Sequence, residues 1–281
     1  MRKRKKLPMI IFILFLGLIA EFFVSNYTYR IYSYTISHKD IPTAFDGYKI
    51  IQLSDLHSHD YGDSNESVYQ SVLKATPDLI VMTGDMVSSS DRDFSTFYSL
   101  VKKLVTIAPV YYVFGNHEQA LDDEYQDEIL STIADLGVRY LDNETVQIEK
   151  EGSTISLHGM WFNLRFYNDS RSSYEYTFEL DNMMKLLKFP EDQTFDLLLT
   201  HNPIYFSTYK NWGADLTLTG HIHGGLINIP FMGGLLSPER TTFPEYDAGL
   251  FQEEDHYLIV NRGLGNGRVG FRYFNRPEIS L

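Results

Sequence analysis

The chain contains no cysteine. That excludes disulfides, thiolate zinc sites and cysteine nucleophiles together, so any bound metal must draw on His, Asp, Glu or Asn. Tryptophan is scarce, at two residues, and there is no internal repeat or low-complexity tract. Positive charge is thin as well, with 24 Lys and Arg against 37 Asp and Glu. Six of those 24 basic residues, and one of the acids, fall in the first thirty positions. Residues 31–281 are left with 18 positive and 36 negative groups. A body this acidic repels the phosphate backbone that dominates nucleic-acid binding, so no nucleic-acid partner is expected. An anionic substrate needs local compensation there, for which divalent cations are the obvious source. What the chain does have is 43% hydrophobic residues over 281 positions, including 20 Tyr and 19 Phe, enough for a sizeable core.

One long apolar run exists. "MRKRKK" is followed by "LPMIIFILFLGLIAEFFV", Leu7 to Val24, in which Glu21 is the only charge. Eighteen residues at about 1.5 Å each span roughly 27 Å, enough for a bilayer core. The basic flank predicts a cytoplasmic N-terminus and a body on the far side. A cleaved signal peptide has a similar front half, but no small-residue cleavage site follows; the next residues are the bulky "EFFVSNYTYRIYSY". The expectation is an uncleaved signal anchor over residues 1–30, in a single-pass cell-membrane protein, with one extracytoplasmic domain over 31–281.

That body alternates two kinds of segment. "YKIIQLS" (48–54), "DLIVMT" (78–83), "VYYVF" (110–114), "FDLLLT" (195–200) and "ADLTLT" (214–219) read as buried strands. "NESVYQSVLKA", "DFSTFYSLVKKLV" and "DEYQDEILSTIADLG" read as amphipathic helices, the last with Gly137 as a C-cap. "TVQIEKEGSTISLHG" reads as a hairpin turning at Glu151-Gly152. The pattern is α/β with added antiparallel strands.

All five strand exits carry metal-type side chains. The first is followed by Asp55 and His57, the second by Gly84-Asp85, and the third by Gly115-Asn116-His117-Glu118. The fourth ends in His201-Asn202, and the fifth in Gly220-His221-Ile222-His223-Gly224-Gly225. Ligands of open α/β sheets bind outside the carboxyl ends of strands. Residues i and i+2 of an extended segment face the same way, so Asp55 with His57, and His221 with His223, are expected to enter one cavity. Any one fragment is commonplace; five in register with five strand ends make a divalent metal site.

D-x-H, G-D, G-N-H-E, a lone H and G-H-x-H in this order resemble the calcineurin-like metallophosphoesterase superfamily. "FDGYKIIQLSDLH", "PDLIVMTGD" and "NRGLGNGRVGFRYFNRPEI" are similar to its membrane-anchored bacterial branch, which includes phosphodiesterases of the UDP-2,3-diacylglucosamine hydrolase type. The resemblance implies a two-sheet αββα sandwich with two metal ions (Mn2+, Zn2+ or Fe) at the strand ends. It also implies that Asp55, His57 and His223 hold one ion, that Asn116, His201 and His221 hold the other, and that Asp85 bridges both. A metal-bridging hydroxide would then attack phosphorus, and His117 would stabilise the developing charge or protonate the leaving oxygen. The protein Ser/Thr phosphatase branch has an Asp-Arg pair where "GDMVSSSDRD" has Ser88 and Ser89, and Arg92 lies too far along to replace it. That points away from protein phosphatases and leaves simple diesters or monoesters open; the resemblance to the membrane-anchored branch makes a phosphodiesterase the expectation, with a monoesterase, or a non-catalytic metal-binding module, as the alternatives.

Other polar residues have plainer expectations. His59 reads as a solvated loop residue, and His38, His158 and His256 as structural. Glu118 reads as a brace for its loop, and Arg262 and Arg272 as ion-pair partners within an acidic body. "LINIPFMGGLL" (226–236) reads first as a core strand and turn. Its alternative is an apolar lip beside the metals for a lipid-linked substrate. Asn26, Asn65, Asn143 and Asn168 head N-x-S/T sequences.

Overall fold

In "LIVM", residues 79–82, every side chain is buried, yet alternate residues belong to two different cores. Leu79 and Val81 pack into one and Ile80 and Met82 into the other, as period-2 alternation requires of a strand covered on both faces. The same split recurs in residues 196–199, where Leu197 and Leu199 face inward and Leu198 outward. A sandwich of two sheets with helices outside follows directly. A computed structural model describes residues 6–167, 176–190, 194–225, 227–229, 231–267 and 270–281.

The first sheet contains β1 (Arg30–Tyr32), β2 (Ile50–Leu53), β3 (Leu79–Met82), β4 (Val110–Tyr112), β5 (Arg139–Tyr140) and, returning from the C-terminus, β14 (Glu278–Ser280). Its order is β1-β14-β2-β3-β4-β5. The second contains β6 (Glu144–Lys150), β7 (Ser153–Gly159), β8 (Asp196–Leu199), β9 (Leu216–Thr219), β12 (Gly249–Glu253) and β13 (His256–Val260), in the order β12-β13-β9-β8-β7-β6. A separate small hairpin pairs β10 (Asn228–Ile229) with β11 (Gly233–Gly234). Strands β2 to β5 run parallel, as do β7, β8, β9 and β13.

Helices α2 (Glu66–Ala75), α3 (Ser95–Leu104) and α5 (Asp123–Asp135) cover the outer face of the first sheet through Val68, Val72, Phe97, Leu100, Ile129 and Ile133. Helix α6 (Phe206–Trp212) covers the second sheet through Phe206, Tyr209 and Trp212. The expected αββα sandwich is the observed one. The five buried strands and three amphipathic helices read from the sequence are present with their ends trimmed, and Glu151 and Gly152 both take the positive φ that a tight hairpin turn needs.

The apolar N-terminal run is helix α1 (Lys6–Tyr27), exposed along its length until its last turns. It is long and apolar enough to cross a membrane. Its end belongs to the body: Ser25 and Asn26 are buried, and Asn26 exchanges hydrogen bonds with the backbone of Arg272 at 2.8 and 2.9 Å. Asn65 is likewise buried and bonded, so neither it nor Asn26 presents a free amide for glycosylation; Asn168 lies outside the described residues.

The sheet interface sets the relative position of the two strand-end rows. Leu199→Ala, at a fully buried inter-sheet position, is expected to destabilise the full chain in detergent by about 2–5 kcal/mol, read from urea unfolding midpoints. A loss below about 1 kcal/mol would mean that the layer collapses around the gap.

Candidate metal centre

The carboxyl ends of β2, β3 and β4 in one sheet meet those of β8 and β9 in the other. Gln52 donates to the Thr219 carbonyl at 2.8 Å, and His201 Nδ1 meets the Thr83 carbonyl at 2.6 Å, tying the two rows together. All seven sequence-predicted ligand candidates come from these exits. Asp55, His57 and His223 form one cluster of ligand atoms, and Asp85, His201 and His221 another. His223 Nε2 lies 3.5 Å from Asp55 Oδ1 and 3.3 Å from His57 Nε2. His201 Nε2 lies 3.2 Å from Asp85 Oδ2, and His57 Nε2 is 3.9 Å from that same oxygen. Two ligands each about 2.1 Å from a tetrahedral ion sit roughly 3.4 Å apart, the spacing seen here.

Two atoms test whether a cation fits. His201 Nε2 and Asn116 Oδ1 are buried and have no hydrogen-bond partner among the described residues. Because His201 Nδ1 is committed to a carbonyl, its proton lies there, and Nε2 presents a lone pair. Buried polar atoms are almost always satisfied, so an orphaned lone pair beside two carboxylates fits a metal ligand. The donor set of nitrogen and oxygen suits a borderline divalent ion.

The local backbone differs from the extended exits expected of the sequence. Asp55, His57, Asp85, His221 and His223 all have φ between 47° and 70°. Their side chains converge because successive left-handed residues curl the loops, not through strand alternation. Such conformations cost of order 1–3 kcal/mol each and persist where surroundings over-determine them. Gly84, at φ +91°, is forced for a second reason: a Cβ there would lie 2.5 Å from Gly115 N and 2.8 Å from His201 Nδ1.

Fixed hydrogen bonds aim the ligands. Ser54 Oγ and the His221 N–H hold Asp55, at 2.6 and 3.1 Å to Oδ2. The His117 N–H, in the short helix α4 (Asn116–Gln119), holds Asp85 Oδ1 at 2.7 Å and leaves Oδ2 for the centre. Glu118 is the brace expected of it, accepting the N–H groups of Asp85, Met86, Val87 and Gly115 at 2.6–3.2 Å. The Ser89 N–H donates to His117 Nδ1 at 3.0 Å, so Nε2 carries the ring proton; it points inward, 4.0 Å from Asp85 Oδ2. Ser89 therefore positions His117, while Arg92 lies over the half-buried Tyr125 ring.

Burial and neighbours set the charge states among the protein groups. Burial holds His57 down to about 3, despite the attraction of Asp85. His223 is held well below its ordinary value by burial, with His57 and Arg272 adding to it. Burial opposes a charge on His201 too, but Asp85 and Asp55 override it and push that imidazole up to about 10. The two carboxylates part company. Burial raises Asp55, whereas for Asp85 the surrounding imidazoles, His201 foremost, outweigh burial and hold it well below the carboxylate range.

Three residues escaped sequence reasoning. Glu239 meets His221 Nε2 at 3.0 Å, leaving that ring's Nδ1 for the centre. Tyr167 stacks edge-on to His221, ring centres 5.1 Å apart, with its hydroxyl buried. Asn275 donates to the His223 and Gly225 carbonyls. No spacing rule marks such residues, since each reaches the site from a remote loop. Arg272 corrects an expectation. It is fully buried, has no carboxylate within ion-pairing distance among the described residues, and meets His223 at both its carbonyl and Nδ1, at 3.3 and 3.2 Å. Arg262 does pair, with Glu278 at 2.6 Å. His158 and His256 are structural as expected, held at 2.8 Å to Asp196 and 2.7 Å to the Ala214 carbonyl.

Glu118→Gln sets an amide N–H2 among four backbone donors and loosens the Gly84-Asp85 loop. Metal affinity is expected to fall about 10–100-fold, measured by chelator competition, with the protein still folded. Unchanged affinity would show that the brace has no bearing on the site.

The sequence profile of the calcineurin-like phosphoesterases matches residues 48–225. The metallophosphoesterase YkuE of Bacillus subtilis is 30% identical over 252 residues, spanning 88% of this chain and 82% of its own length. The phosphodiesterase YaeI of Escherichia coli is 26% identical, spanning 83% of this chain and 81% of its own. The UDP-2,3-diacylglucosamine pyrophosphatase LpxG of Chlamydia trachomatis is 24% identical, with 84% and 83% spanned. A match across more than half the chain, on a sandwich whose strand ends gather Asp and His, makes this chain a member of the calcineurin-like phosphoesterase family and a metal-dependent hydrolase of phosphoric esters.

Proposed function

We propose that the protein is a membrane-anchored phosphodiesterase with two divalent ions per chain. One ion would be held by Asp55, His57 and His223, the other by Asn116, His201 and His221, with Asp85 contributing to both. The observation that carries this reading is the pair of orphaned buried atoms, His201 Nε2 and Asn116 Oδ1, beside the buried Asp85 carboxylate. Such ions supply positive charge against the non-bridging phosphate oxygens and an acidified water as nucleophile.

The chain's own groups do the rest. His117 Nε2–H, held in that tautomer by Ser89, faces the site and can pass its proton to the departing oxygen. Glu239 and Glu118 keep His221 and the Asp85 loop from turning away. A diester suits the site because Ser88 and Ser89 stand where an Asp-Arg pair would grip the more highly charged phosphate of a monoester. YaeI, called a phosphodiesterase, and LpxG, called a pyrophosphatase of a diacylated nucleotide sugar, support a substrate with phosphorus linked on two sides. The diacylated substrate in LpxG's name and the apolar helix α1 together favour a lipid-linked ester, and the basic flank before α1 supports a cytoplasmic N-terminus with the site on the far side.

The full chain in detergent, stripped of metal and resupplied with Mn2+ or Zn2+, is expected to hydrolyse bis(p-nitrophenyl) phosphate faster than p-nitrophenyl phosphate. His117→Ala should lower kcat by about 10²–10⁴-fold with metal content retained, and Asp85→Asn should lose both metal and activity. A preference for the monoester would reverse the substrate assignment, and metal uptake with no turnover of either would favour a binding module. In bilayers, a lipid-linked diester should be turned over faster than its water-soluble counterpart; equal rates would remove the lipid from the reading.

A further inference from the structure

The segment "LINIPFMGGLL" does not form the core strand its composition suggests. Among its described residues (Leu226 and Pro230 lie outside them), Asn228 pairs with Gly234 and Ile229 with Gly233, making the β10–β11 hairpin. The tip residue Phe231 is fully exposed, at 108%, with a left-handed φ of 71°, and Met232 beside it is 65% exposed. Among the described residues, nothing inside the fold accounts for turning a phenyl ring and a thioether to water at a strained position.

Neighbours of the hairpin supply the reason. Along one side the Asn228 N–H donates to the Tyr273 carbonyl at 2.9 Å, and Ile227 bridges Tyr273. The Tyr273 ring lies 5.7 Å from Phe22 in the last turns of α1. Phe271 and Phe274 flank Tyr273 and are exposed, as is Phe23 on the helix. Hairpin tip, 271–274 segment and helix end thus form one apolar, largely aromatic surface.

We propose that this surface is a second membrane contact, and that Phe231, Met232, Phe271 and Phe274 enter the interfacial layer of the bilayer that α1 spans. The proposal rests on the reading of α1 as an anchor. Twenty-one residues from Leu7 to Tyr27 rise about 30 Å, the thickness of the hydrocarbon core, which leaves the last turns at headgroup depth. Tyr273, in contact with Phe22, lies at that depth too, where aromatic rings are favoured. The joint holds the angle: Asn26 is bonded to both backbone groups of Arg272, and Ser25 Oγ accepts the Asn275 N–H at 3.3 Å. An acidic body gains nothing from anionic headgroups, so its contact with lipid must be apolar insertion.

The hairpin also packs against the metal centre. A Cβ on Gly225 would lie 2.5 Å from the Gly234 Cα, so only glycine lets β11 close onto the loop that carries His223. With β10 beginning five residues after His223, bilayer contact brings the centre beside the headgroup layer. A phosphoester resident there is reached without leaving the membrane.

The cysteine-free chain makes each introduced cysteine a unique labelling site. Nitroxides are placed at Phe231→Cys and Phe274→Cys in the full chain in phosphatidylcholine vesicles, with Phe15→Cys in α1 and Lys39→Cys on the exposed body as references. Relaxation by oxygen is compared with relaxation by a water-soluble nickel chelate. The labels at 231 and 274 are expected to favour oxygen several-fold over the label at 39, and less strongly than the label at 15. If 231 and 274 match 39 while 15 favours oxygen, the second contact is wrong and the anchor stands. If 15 also matches 39, both fall.

Discussion

Asp55 and Asp85 are carboxylates with no access to water, set against four imidazoles whose donor atoms face one another. Burying charge without compensation is prohibitive, and protein groups alone meet the need only in part. Asp85 is charged at the expense of keeping His201 protonated, while Asp55 is driven toward its neutral form. A divalent cation resolves both at once. It would replace the proton on His201 Nε2, which otherwise faces Asp85 Oδ2 at 3.2 Å, would give Asn116 Oδ1 the partner it lacks among the described residues, and would allow both carboxylates to ionise.

Much of the surrounding structure serves to hold these groups together before any ion arrives. Five ligand candidates sit in left-handed backbone, and Gly84 and Gly115 let two loops touch where a side chain would part them. Glu118 gathers four backbone N–H groups into one buried carboxylate, so the loop after β3 and the start of α4 move as a unit. Glu239 performs the equivalent task for His221 from a loop eighteen residues downstream. Pre-organisation of this kind is what turns a cluster of polar side chains into a site with defined coordination.

The end of the apolar helix α1 is continuous with that site. Asn26, near the last residue of α1, is bonded to Arg272; Arg272 and Asn275 in turn hold the backbone and ring of His223. A helix tethered by a flexible linker would leave the site indifferent to where the helix lies. Here the helix end, the C-terminal segment and a metal-ligand candidate share one buried hydrogen-bond network.

Hydrophobic alternation and glycine placement were enough to read the five strands, the three helices and the Glu151-Gly152 turn from the chain alone, because burial on a strand or helix leaves a periodic trace. The seven candidate ligands and His117 were legible for a related reason. They sit in short runs directly after those strands, where chemistry and position coincide. What tertiary structure decided is everything that depends on distance between remote segments: the left-handed curl that makes Asp55 and His57 converge, the roles of Glu239, Tyr167, Arg272 and Asn275, and the outward turn of Phe231. None leaves a local periodicity, since each is specified by a partner elsewhere in the chain. Sequence determines which groups are available; packing of the two sheets determines which of them meet.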